Sequence, residues 1–73
     1  MIETESKLSE DMEFTFQKCL DYFSEQSGEE LSMQDKRYAR NWVNDFKKLK
    51  SEDQTEEFGV YENAIWDYIK SKL

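Results

Sequence analysis

Residues 9–27, SEDMEFTFQKCLDYFSEQS, decide the fold class. Within this stretch Met12, Phe16, Cys19, Leu20 and Phe23 recur at steps of three and four. That period lines up one side of an α-helix and neither face of a strand. Ser9 is placed to cap the free amides of a first turn, and Glu10 and Asp11 suit the positive end of a helix dipole. Ser27-Gly28 closes the stretch with a glycine able to take the left-handed backbone that follows a last turn. The spacing predicts a helix over about 10–26. Residues 1–8, polar, acidic and without period, are expected to form a flexible tail ahead of it.

The same pattern returns twice downstream. Ser32, with Asp35 three residues later, is a weak form of the capping box. Tyr38, Ala39, Trp42, Val43, Phe46 and Leu49 then make a second stripe, and Lys47, Lys48 and Lys50 complement a helix C-terminus, so a helix is predicted over about 33–50. Phe58, Tyr61, Ala64, Ile65, Tyr68 and Ile69 form a third stripe, predicting a helix over about 58–72. The polar segment 51–57 reads as a loop or an early extra turn, because Gly59 disfavours a helix running straight through it. There is no proline, no Asn-Gly or Asp-Gly hairpin turn and no long alternating run. The reading is therefore all-α: a small antiparallel three-helix bundle forming a single domain over 9–73.

A chain of 73 residues buries only about 60% of the surface its unfolded form exposes, so its core needs reinforcement. One cysteine cannot close an intrachain disulfide, and with no histidine in the sequence it has no partner for a zinc site. The reinforcement on offer is aromatic: eleven Phe, Tyr and Trp residues, each able to bury on the order of 150–250 Å². The lone thiol, and an acidic start where a signal peptide would be basic and then apolar, point to the cytoplasm. No window approaches the roughly 18 apolar residues of a membrane span.

Known chemistries are poorly served. The carboxylate neighbours Glu29-Glu30, Glu52-Asp53 and Glu56-Glu57 lie in expected loops or helix ends, whereas a catalytic pair needs to be desolvated in a pocket. Cys19 sits on the apolar stripe between Phe16 and Phe23 and reads as a small buried hydrophobe. No acidic run has the form of a calcium loop, and two isolated glycines cannot build a phosphate cradle. The expectation is a protein that is not an enzyme and needs no cofactor or metal.

Charge organises the remaining surface. Of the net −7, all lies in residues 1–36, where ten acids face three lysines; residues 37–73 hold seven of each sign. On the first helix Glu10, Glu13, Gln17 and Asp21 fall opposite the stripe, with Phe14 among them, and an aromatic ringed by charge is a common binding anchor. The second helix carries Arg37, Arg40, Asn44, Lys47 and Lys48 on its outer side, residue types that read nucleic acid, although a pI near 4.5 opposes phosphate binding. Trp66 and Leu73 stand off the third stripe and are candidates for a homodimer patch.

Leu31-Ser32, followed by Trp42 and Phe46, resembles the helical opening of DnaD-like replication domains, and Tyr61–Ile65 resembles part of their C-terminal motif. The two pieces are closer together here and the terminal tryptophan is absent, so that family's function is not carried over. In size and acidity the chain is similar to the small accessory and inhibitor proteins of bacteriophages. The functional expectation is a non-catalytic module whose acidic face binds a basic surface of a larger protein, with nucleic-acid binding by the second helix as the alternative.

Overall fold

The computed structural model describes residues 4–73, with side chains from Lys7 onward. Three helices follow one another: α1, Thr4–Ser27; α2, Met33–Lys47; and α3, Ser51–Ser71. They pack side by side in an elongated bundle of 41 × 18 × 17 Å, and the described residues contain no strand. Short links force each helix to run against the one before it, so α1 and α3 are parallel and α2 lies antiparallel to both.

One cluster forms the core: Met12, Phe16, Cys19 and Phe23 of α1, Ala39, Val43 and Phe46 of α2, Ile65 and Ile69 of α3, and Leu31 from the first link. Apart from Leu31 these are stripe residues read from the sequence, with half-buried Trp42, Phe58, Tyr61, Trp66 and Tyr68 packed around them, whereas Tyr38 of the second stripe stands exposed. The aromatic reinforcement is therefore mostly a collar around an aliphatic and phenylalanine centre.

The helix ends differ from expectation in ways that have physical causes. α1 begins at Thr4, so Ser9 lies inside the helix and does not cap it; of the expected tail, residues 1–3 lie outside the described residues and Thr4–Leu8 are helical. Leu8 stands four residues before Met12 and packs on the core, extending the stripe by one turn. At the other end Gly28 adopts φ +77°, its amide bonds to Ser24 O at 2.8 Å, and the Ser27 hydroxyl donates to Phe23 O at 2.8 Å. That is the expected glycine stop.

Ser32 caps α2, its hydroxyl accepting from the Asp35 amide at 3.1 Å. The Asp35 carboxylate is drawn into a tertiary contact as well: Oδ1 accepts from the Tyr68 hydroxyl at 2.8 Å, with Lys72 Nζ at 3.6 Å. The start of α2 is thereby tied to the end of α3.

α2 stops at Lys47, short of the expected residue 50, because the Lys48 and Leu49 amides turn back to Asp45 O and Phe46 O, each at 3.1 Å. α3 then starts at Ser51 and continues through Gly59, whereas the sequence predicts a third helix from about 58 and leaves 51–57 as a loop or an early extra turn. Gln54 explains the early start. It is only 2% exposed, and its Nε2 donates at 3.3 Å both to Leu49 O and to Phe46 O, which it shares with the Leu49 amide, so that it ties the end of α2 to the start of α3. Phe58 then meets Phe46 edge-on at 5.6 Å. These contacts outweigh the roughly 1 kcal/mol that a helical glycine costs.

Two substitutions test this account in opposite directions. Phe46→Ala should cost about 3–5 kcal/mol, enough to unfold a large fraction of a domain this small. A methyl group added at Gly59 would meet nothing within 4 Å, and the backbone there is not left-handed. Gly59→Ala should therefore add about 0.5–1 kcal/mol and raise Tm by roughly 2–8 °C in a thermal melt followed by circular dichroism. No rise would mean that the helix does not run through position 59.

Candidate functional site

The outer side of α1 carries Glu10, Phe14, Gln17 and Asp21, all exposed. Phe14 is 65% exposed and takes no part in the core. Lys18 Nζ lies 5.5 Å from its ring centroid, a cation–π contact one turn along, and Gln17 Nε2 donates to Asp21 Oδ1 at 3.1 Å. The ring is thus braced on its own helix while keeping most of its surface in water.

Glu13 departs from this group. One position from buried Met12, it turns toward α2, where Oε2 accepts from Arg40 at 2.6 Å and also from Lys47 Nζ. The hydrogen bond from Lys47, then that from Arg40, hold its carboxyl below the usual carboxylate range. Arg40 and Lys47 are two helical turns apart, so one carboxylate bridges both. About a third of each side chain is exposed, which keeps such pairs to a few tenths of a kcal/mol up to about 1 kcal/mol each. Their consequence for recognition is larger than for stability, because Glu13 is withdrawn from the acidic face and two cations are withdrawn from the basic one.

The five residues nominated on α2 therefore do not form one free surface. Arg40 faces α1 and also lies over the Phe16 ring at 4.9 Å, while Arg37, Asn44 and Lys48 remain exposed. Trp66 does not stand free with Leu73 either. It is half-buried, meeting Tyr22 of α1 edge-on at 5.4 Å with Lys70 Nζ 5.6 Å from its ring, whereas Leu73 is exposed. The tryptophan closes the seam between α1 and α3.

A surface that stripe-by-stripe reading missed lies between α2 and α3. Tyr38, Trp42 and Tyr68 form a mutual aromatic cluster with centroids 5.0–5.5 Å apart, and Val60 stands exposed beside it. The available signals were Tyr38 and Trp42 one turn apart at the edge of the second stripe, and Val60 alone on the outer side of the third.

Cys19 is fully buried, and burial pushes its thiol up to about 12, with Glu62 adding to the rise. It offers no nucleophile to solvent. Among the described residues no three His, Cys, Asp or Glu side chains gather to hold a metal ion, and no helix is long and apolar enough to cross a membrane. No family model, curated protein or solved structure matches the chain, and the resemblance to DnaD-like domains rests on the residues quoted above alone.

The Glu13 bridge has a pH signature. Its carboxyl titrates lower in the fold than its ordinary value of 4.5, so the unfolded chain takes up the proton first as the pH falls. The bridge therefore stabilises fully above about pH 5 and less and less as acid reaches the depressed value. Glu13→Gln should lower Tm modestly at pH 7 and flatten the acid limb of a Tm–pH curve between about pH 5 and pH 3, leaving the alkaline limb unchanged. An acid limb as steep as wild type would show that the bridge does not form in solution.

Proposed function

We propose that the chain is a non-catalytic protein-interaction module that docks the outer side of α1 onto a basic surface of a larger protein. The observation that carries this reading is Phe14, a large apolar ring left 65% exposed between Glu10, Gln17 and Asp21 and used by nothing in the core. Burying such a ring in a partner's pocket supplies affinity, and the carboxylates around it supply orientation and a fast approach. A surface that holds nucleic acid is the natural counterpart, because it is basic and built for a row of negative charge. The module would then act as an inhibitor or accessory of a nucleic-acid-handling protein, competing by partial mimicry of phosphate charge. A cytoplasmic setting suits a chain whose one cysteine is an unpaired thiol.

Tagged wild type and Phe14→Ala, used as bait in lysate at about 50 mM and about 500 mM salt, test the proposal. A specific partner should be captured at low salt, be largely released at high salt and be lost or strongly reduced with Phe14→Ala. Capture that ignores both salt and Phe14 would overturn it.

A further inference from the structure

The groove between α2 and α3 is lined by Trp42, Asp45, Glu57, Val60, Tyr61 and Ala64, and encloses about 320 Å³. We propose that it is a second docking site, whose occupant is a cationic amphipathic segment of another protein. One apolar side chain of that segment enters the groove, and flanking lysines or arginines meet its rims.

Three features of the groove converge on this occupant. Its floor is aromatic and already rigid: Trp42 packs edge-on against Tyr68 at 5.5 Å, and Tyr61 against buried Phe46 at 5.7 Å. A ligand would therefore meet rings that need no ordering. Its open side is apolar, with Val60 60% exposed. That side chain fills no space in the core and faces water at a cost that a partner would remove.

The rims decide the sign of the partner. Asp45 of α2 and Glu57 of α3 face each other across the groove, no cation lines it, and neither acid has an ion-pair partner among the described residues. Asp53, four residues before Glu57, continues the acidic edge along α3. Of the cations of α2, Arg40 and Lys47 are held by Glu13 and Lys36 by Glu30, and Arg37 does not line the groove. Carboxylates beside an indole and a phenol suit a lysine or arginine, whose stem can lie on the rings while its head reaches the acid. A second copy of the chain is a poor occupant, since each copy brings a net charge of −7.

The test uses the full chain and a synthetic helical peptide of leucine and lysine, about 14 residues long, titrated by calorimetry at low salt. Saturable one-to-one binding is expected. Val60→Glu, and separately Asp45→Lys with Glu57→Lys, should each weaken it at least about tenfold. Glu25→Lys with Glu29→Lys changes the net charge by the same amount as the double groove variant, but away from the groove, and should weaken it far less. A peptide with serine in place of leucine should bind at least about tenfold more weakly. The residues substituted in the groove and control variants are exposed or on the rim, so circular dichroism should stay as in wild type. Groove variants that bind like wild type would overturn the proposal, as would equal loss from the charge-matched control or equal binding of the serine peptide. Loss with Phe14→Ala alone would overturn it too, by placing the peptide on α1.

Discussion

The corner at Phe46 is the constraint on which the rest of the bundle depends. The ring is fully buried and met edge-on by Phe58, while its carbonyl accepts from Gln54. Side chain and backbone of one residue are thus both held by α3, within a few positions of the turn that reverses the chain. This double hold sets where α2 ends and where α3 begins. It also sets the direction in which α3 travels back along α2 to bring Ile65 and Ile69 into the core and Tyr68 to Asp35. The tie between Tyr68 and Asp35, at the far end of the same helix pair, fixes the register that the corner begins.

With the register fixed, charge sorts itself over the surface. Glu13 draws Arg40 and Lys47 against α1, so its own charge is more than offset on the side where α1 meets α2. The side where α2 meets α3 pairs Lys72 with Asp35 at one end, and leaves Asp45 and Glu57 without an ion-pair partner among the described residues, beside aromatic rings. The outer side of α1 keeps its acids because they point away from every other helix. The outer side of α1 and the groove between α2 and α3 thus each present carboxylates beside an exposed apolar residue, and they face different directions.

Most of the fold was readable from periodicity, because nine of the ten core residues lie on the three stripes; Leu31 comes from a link, and Tyr38, counted on the second stripe, stands exposed. The Gly28 stop and the Ser32 cap were readable too, since each rests on a local backbone requirement. What could not be read was long-range. Gln54 is a polar residue in a polar segment, and only the carbonyls of Phe46 and Leu49 at the end of α2 give it a reason to be buried. Trp66, off its stripe, finds its neighbour in Tyr22 of another helix. The surfaces divided along the same line. Phe14 stood out on a helical projection, which needs one helix alone, and the geometry leaves it exposed. Glu13 looked equally exposed on that projection and was reassigned by partners 27 and 34 residues away. The groove beside Trp42 belongs to two helices at once, and no single stripe displays it.

Buried Cys19 gives the molecule a chemical clock. The thiolate is the reactive form of cysteine, and a thiol pushed up to about 12 in a closed core is almost never in that form. Alkylation must therefore wait until the helices part and the side chain meets water at its ordinary acidity. With a single cysteine in the chain, the rate of that reaction counts openings of the bundle without contribution from any other site. Anything that holds the closed form slows the clock by the factor by which it shifts the equilibrium, whichever face it occupies.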